Sequence, residues 1–565
     1  MISLTWLGMF CVALILLSML PVAAALMQFL MVGVHGARNH YGRCGDFTPR
    51  VAVLVPAWNE GLVVAASIDL LIRMDYPAQA LRIYVVDDAS TDDTPEVVQA
   101  KAREYPGQVV HLRRERGGQG KAHTLNHGLE VVLREPWAEA VLIMDADVLF
   151  EAPTLRRMAR HLADPQVGSV TAYIKEGSQP DNLVSRYIAF EYVTAQAASR
   201  RAQNVMGALA CLAGGAQLHR RENLTAIGGA IDTSTLAEDT FTTFRTQLAG
   251  NLAVFDGNAV VWAEEPDSLV ALWKQRLRWS RGNLQLTRHF RRMWFNPFGA
   301  TRLSSIPFGV MWFSIVLMPV FMIMGSVGMV SLYLLNPRGA WVLLASFWGL
   351  SISAHLFVTL YSCLIDPGTG RRAWFEGITY PGLVSLAIML FSFTPAHLLP
   401  ALPRINGPHL IQSGLDLLML LIYSWTALSM LAAWAIYRAE KAGLPRALCH
   451  LLLVMVGYGP LQCAITFAAY AAEFRQTSLQ WDKTEKSGKV LHPARLSGAQ
   501  PGPLPLDAAP AGLPPATAGC APSEAFQRLL ATDQAAERRL IACEALALAV
   551  SLATVLALQW LAHTP

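Results

Sequence analysis

Acidic residues close several apolar runs of this sequence. Asp87 and Asp88 follow LRIYVV, and Asp145 and Asp147 follow AVLIM. Two carboxylates separated by one residue can offer oxygen ligands to a divalent cation. Such a cation can neutralise a departing diphosphate. Taken alone, the pair better suits a solvated turn after a strand. Glu238 and Asp239 in LAEDTFTTF precede a helical run. Acids there favour a helix start, and one that reaches an acceptor hydroxyl can act as a general base. Gln275, Arg278 and Trp279 in LWKQRLRWSRGN lie three and four residues apart, so they share one face of a short helix. The arginine fork suits diphosphate oxygens, and the indole suits the apolar face of a sugar ring. The same composition also suits a helix at a membrane interface.

These residues need a frame, and the stretch from Val51 provides one. VAVLVPAWNE, LRIYVVDDAS, VVHLRRE and AVLIMDADV read as strands, with helical stretches such as EGLVVAASIDLLIRM and GKAHTLNHGLEVVLRE between them. Strand–helix alternation with continuously apolar strands predicts an α/β domain with a parallel sheet covered on both faces. Ligands of such sheets lie beyond the carboxyl ends of the strands, where the acids fall.

The remainder of the chain is of another kind. Of 565 residues, 53% are hydrophobic and only 15% charged, below the roughly 25% charged of an average soluble domain. The apolar excess sits in residues 1–32 and 304–473. The sequence therefore predicts an N-terminal transmembrane helix at 1–33, a domain at 50–300 and transmembrane or interfacial helices over 304–473. A cytosolic segment with a disordered Pro/Ala-rich linker is predicted at 474–537, and a last transmembrane helix at 538–563. Candidate spans are 306–335, 341–365, 374–402, 415–437, 447–472 and about 540–561. Residues 374–402 contain Pro381, Pro395 and Pro400 between basic flanks, and read better as re-entrant or interfacial. Arg38, Arg43 and Arg50 follow the first span, which puts the domain on the cytosolic side. Eight scattered cysteines without CxxC spacing read as reduced thiols. The net charge of +4, with no basic stripe interleaved with aromatics, gives no sign of nucleic-acid binding.

In order along the chain come VPAWNE, VVDDASTDDT, GKAHTLNHGL, DAD, AEDT and QRLRW. Together they resemble the processive membrane synthases of glycosyltransferase family 2, which make cellulose, chitin, hyaluronan and poly-N-acetylglucosamine. The family's D, DxD, TED and QxxRW motifs are matched by Asp87-Asp88, Asp145/Asp147, Glu238-Asp239 and Gln275/Arg278/Trp279, with Ala237 in place of the threonine. The resemblance implies a GT-A (Rossmann-like) catalytic domain inserted in an α-helical transmembrane bundle, in the inner (plasma) membrane. It implies inverting transfer from a UDP-sugar to a growing polysaccharide with export, most like poly-β-1,6-N-acetylglucosamine synthase. Single addition to a lipid-linked acceptor, or a hyaluronan or glucan synthase, is the alternative. Asp87, Asp88, Lys121, Asp145 and Arg278 would then bind the nucleotide, and Asp147 with Asp145 would hold Mg²⁺ or Mn²⁺. Asp239, with Glu238, would be catalytic. Gln275, Trp279, Gly214, Gly215 and Trp481 would meet the acceptor. Partners implied are the UDP-sugar, the polysaccharide, the lipid bilayer and accessory secretion subunits. Gly214-Gly215 also reads simply as a close backbone turn, and Trp481 as an interface anchor. Arg220 and Arg221 read as solvated surface, and His123, His219 and His355 as structural.

Overall fold

The computed structural model describes residues 6–179, 181–296, 298–299, 301–394, 414–477, 490 and 523–563. Among the described residues eight strands, numbered in chain order, form one sheet. They are β1 Val51–Ala57, β2 Leu81–Asp87, β3 Val109–Arg113, β4 Ala140–Ile143, β5 Leu149–Phe150, β6 Val167–Glu176, β7 Gln217–Arg220 and β8 Leu252–Ala263. Their order across the sheet is β3-β2-β1-β4-β7-β6-β8-β5. β1 to β4 pair in parallel, as their apolar runs predict. The expectation of a wholly parallel sheet needs correction, because β7 runs antiparallel to both β4 and β6, and β5 antiparallel to β8. Val51, Val53, Val55, Ile83, Val85 and Leu142 are buried on one side, and Ala52, Leu54, Val86, Val141 and Ile143 on the other. Helices therefore cover both faces of this half.

Among the described residues five helices are long and apolar enough to cross a membrane: Trp6–Ala37, Met318–Leu335, Pro337–Ile365, Asp416–Lys441 and Glu524–Trp560. Two more apolar stretches are bent. Pro367–Ile378 and Leu383–Phe391 meet at 68°, and Arg446–Val456 and Tyr458–Phe474 at 97°. The first bend lies where the prolines and basic flanks predict an interrupted segment. The second replaces the single predicted span 447–472. It turns at Gly457, whose φ of +106° suits only glycine, and a Cβ there would strike the Pro381 and Gly382 backbone at 2.4–2.6 Å.

Ion pairs and aromatic stacks weld the two parts together. Lys175 reaches Asp366 at 2.8 Å, Arg186 reaches Glu376 at 2.7 Å, and Arg372 pairs with Glu176. Tyr187 stacks on Tyr458, and Trp273 on Tyr437 with centroids 4.0 Å apart. The last helix, Glu524–His563, starts well before the predicted 538. Its first part is not linker: Asp533 and Glu537 are 2% and 3% exposed. Asp533 takes Arg157 and Arg160, and Glu537 takes Arg201 through two bonds of 2.8 Å. Removing one partner of such a buried pair typically costs about 3–5 kcal/mol.

Arg220 and Arg221 are not solvated surface. Arg220 donates to the carbonyls of Leu162, Asp164 and Val167, and Arg221 to those of Val132, Leu133, Glu135 and Ala138. Both arginines satisfy carbonyls that the neighbouring helices and turns leave without partners.

His219, on β7, is fully buried and meets Gln217 Oε1 at 3.1 Å. Burial pulls its pKa down to about 4, against an ordinary value of 6.5. The unfolded chain thus takes up this proton first as pH falls. The neutral histidine costs nothing above about pH 6.5, and folding stability is lost as pH drops from there toward 4. At pH 5 the loss relative to pH 8 is about 2 kcal/mol. Thermal melts of the wild type and His219→Gln at both pH values should show the substitution flattening this acid dependence.

Candidate active site

One cavity of about 1200 Å³ opens beyond the carboxyl ends of β1, β2 and β4 and continues between the membrane helices. The β1/β2 register, which sets Ala57 opposite Asp87, brings both strand ends to this place. Asp88 lines the cavity and is fixed there by the loop after β3. Arg114 pairs with its carboxylate, and Gly118 N donates to Oδ2 at 2.9 Å. The loop can close so tightly only because it is glycine-rich. A Cβ on Gly117 would lie 2.0 Å from the Asp88 carbonyl oxygen, and Gly118 and Gly120 have φ of +82° and +104°. Asp87 does not line the cavity. It is fully buried, accepts Ser90 N at 2.8 Å, and faces His111 and Arg113 at 3.5 Å. It shapes the turn that presents Asp88.

Lys121 is the hub of the floor. It starts the helix Lys121–Arg134, pairs with Asp145, and donates to Gly214 O at 3.2 Å. A Cβ on Gly214 would lie 3.3 Å from both Lys121 Nζ and Asp239 Oδ2, so lysine, glycine backbone and Asp239 converge. Gly215 stands against Asp145 in the same way, at 3.6 Å from Oδ2. Asp239 lies in the first turn of the helix Glu238–Leu248, where an acid is favoured by the backbone dipole. Its Oδ1 accepts Thr240 N at 2.6 Å. Desolvation and then the Asp239 charge push Glu238 above the usual carboxyl range. Burial pulls Lys121 down, but Asp145, Glu238 and Asp239 outweigh it and hold the ammonium above its usual value.

Asp145 and Asp147 both line the cavity. Among the described residues no third histidine, cysteine or acid completes a closed metal cage around them. Two carboxylates on an open cavity fit Mg²⁺ or Mn²⁺, which commonly take one or two protein carboxylates and leave the remaining positions to phosphate oxygens and water.

The opposite wall is the helix Leu269–His289. Gln275, Arg278 and Trp279 all line the cavity. Gln275 donates to Glu265 Oε2 at 2.9 Å. Trp279 is backed by the Arg276 guanidinium, 3.9 Å from its ring centre. Arg276 in turn pairs with Glu191 at 2.9 Å, which also accepts from Tyr458 at 2.6 Å. The wall is thereby keyed to a membrane helix.

Of the residues singled out from sequence, Asp88, Lys121, Asp145, Asp147, Gly214, Gly215, Glu238, Asp239, Gln275, Arg278 and Trp279 share this cavity. Asp87 does not, and Trp481 lies outside the described residues, as does most of the Pro/Ala-rich segment. The sequence reading missed Glu264 and Glu265, although they follow the apolar run VVWA at the end of β8. The rule that singled out Asp145 would have found them. It also missed Arg200, and His355 lines the membrane end of the cavity while its Nε2 meets Ile378 O at 2.9 Å.

Comparison with known proteins matches residues 49–282 to the family described as glycosyltransferase like family 2. A probable glycosyltransferase, YdaM, of Bacillus subtilis is 29% identical over 249 residues, covering 44% of this chain and 58% of that protein. The beta-monoglucosyldiacylglycerol synthase of Synechocystis is 30% identical over 238 residues, covering 42% and 48%. The poly-beta-1,6-N-acetyl-D-glucosamine synthase of Staphylococcus epidermidis is 24% identical over 233 residues, covering 41% and 54%. The chain thus spans about half the length of the curated relatives it matches. With the strand-end carboxylates, the mixed sheet and the Gln–Arg–Trp helix all inside the matched region, residues 49–282 are a glycosyltransferase family 2 domain.

Proposed function

We propose that the protein is an inverting glycosyltransferase that moves a hexose from a UDP-sugar to an acceptor hydroxyl. The observation that carries this reading is the single cavity holding Asp88, Lys121, Asp145, Asp147, Asp239 and Arg278. Asp88 receives the nucleoside. Lys121 and Arg278 place positive charge beside the diphosphate. Asp145 and Asp147 would hold the divalent cation, which supplies neutralisation of the leaving group when bound. Asp239 takes the proton of the acceptor hydroxyl, whose oxygen attacks the anomeric carbon from the face opposite the diphosphate. The Thr240 N–H, donating to Oδ1, holds that carboxylate in place, with the Gly214 backbone close to Oδ2. Gln275 and Trp279 form the acceptor wall, where the indole offers a sugar-stacking face. The domain faces the cytosol, at the inner face of the plasma membrane, where nucleotide sugars are available.

A second reading, repeated addition to a growing polysaccharide with export, is favoured by the Gln275/Arg278/Trp279 wall and by relatives named as poly-N-acetylglucosamine synthases. The test is to incubate the purified full chain with a panel of labelled UDP-sugars and Mg²⁺, following UDP release and the label together. Release with one donor is the expected result. No turnover with any nucleotide sugar would sink the reading.

A further inference from the structure

Arg200 is a cation inside the cavity without a matching anion. It is 8% exposed and lines the cavity wall between Asp239 and the first membrane helix. Its Nη1 donates to Gln196 Oε1 at 3.1 Å and to Ala172 O at 3.4 Å. Among the described residues no carboxylate comes within ion-pairing distance of it. The contrast with its neighbour is sharp. Arg201 is as deeply buried, yet is fully compensated by the Glu537 carboxylate. A guanidinium held away from water and bonded only to neutral groups is costly. Burial accordingly pulls Arg200 below its usual value. Such a group is suited to an anion that arrives with a ligand, and its planar fork fits phosphate.

The cavity beyond Arg200 describes the rest of that ligand. Phe29, Trp312, Ile315, Val316 and Val358 give its membrane end an apolar side, with Gln28, His355 and Thr359 beside them. His355 lies ten residues from the end of the helix Pro337–Ile365, so the cavity penetrates about 15 Å at 1.5 Å per residue. Further out on the same helix, Ile352, Trp348 and Leu344 are buried in an apolar cluster with Ile15, Met329 and Tyr423. None of these three lines the cavity, which along this helix reaches His355. Ile315 belongs to its wall and is still 54% exposed, which opens the wall sideways toward lipid. The apolar side of this laterally open slot suits an acyl chain.

We propose that the acceptor is a phosphate-bearing membrane lipid, with its phosphate on Arg200, its acyl chain in the slot lined by Phe29, Ile315 and Val358, and a headgroup hydroxyl at Asp239. This rests on the glycosyltransferase reading above and deepens it. In the transfer, the lipid hydroxyl oxygen bonds to the anomeric carbon while that carbon's bond to the diphosphate breaks. The bonding pair leaves with UDP, and the hydroxyl proton passes to Asp239.

The test uses the full chain in phosphatidylcholine nanodiscs carrying either phosphatidylglycerol or uncharged diacylglycerol, with the labelled UDP-sugar that the donor panel selects. Label is expected in the organic phase, with phosphatidylglycerol preferred over diacylglycerol by at least tenfold. Arg200→Gln should bring the two lipids to near parity, and Arg200→Lys should restore part of the preference. UDP release with equal labelling of both lipids overturns the phosphate assignment. UDP release with label only in water-soluble polymer overturns the lipid acceptor and favours chain elongation. Both outcomes leave glycosyl transfer standing, whereas absence of UDP release counts against the parent reading. The wild-type comparison decides the matter even where the variants fail to fold.

Discussion

Replacing Asp239 by asparagine is expected to lower glycosyl transfer by about two to four orders of magnitude while UDP binding persists. The amide keeps the shape of the carboxylate and can still accept the Thr240 N–H at Oδ1. It cannot take the acceptor proton. The loss should therefore fall on turnover rather than on donor affinity. Glu238→Gln is the informative companion. Glu238 is pushed above the usual carboxyl range by desolvation and Asp239, and this variant leaves the Asp239 carboxylate in place, so it should retain the larger share of activity. UDP affinity measured by titration calorimetry, beside single-turnover rates, separates the two effects. If Asp239→Asn loses nucleotide binding as completely as transfer, the residue holds the structure together and is not the base.

The second large effect is expected from removing divalent metal, or from Asp147→Asn. Neutralising a departing diphosphate contributes several kcal/mol of barrier lowering, which is on the order of a hundredfold or more in rate. Lys121 already divides its charge among Asp145, Glu238 and Asp239, so it is poorly placed to replace a divalent cation. Excess chelator should stop the reaction, and added Mg²⁺ or Mn²⁺ should restore it. An undiminished rate in chelator would remove Asp145 and Asp147 from the metal role.

Much of the first half of the sheet was readable because β1, β2 and β4 are continuous apolar runs whose ends carry acids. The second half was not. β5 has two residues and β7 four, too short for a pattern, and β8 is interrupted by Asp256-Gly257-Asn258. That is also why the antiparallel turn of β7 was missed. Within the site, residue type and spacing exposed the carboxylates and the Gln–Arg–Trp face. They could not separate Asp87 from Asp88, because adjacent residues on one strand end point to opposite sides. Arg200 was hidden for another reason. SRRAQ reads as the polar face of a surface helix, and only tertiary packing shows that one arginine has an acid opposite it and the next has none. The early start of the last helix escaped because its buried carboxylates look solvent-facing until the arginines that meet them are known.

The pairing of Arg201 with Glu537 joins residues 336 positions apart, and that of Arg157 with Asp533 spans 376. A ribosome adding roughly 5–20 residues per second needs about 20–70 s to cover the shorter of these distances. For that interval the nascent sugar-transfer domain holds guanidinium groups whose counter-ions have not yet been synthesised. The domain's final cohesion is therefore an end-of-translation event. Stop codons placed anywhere before position 533 release a chain that is charge-frustrated at its own core, however intact its catalytic sequence.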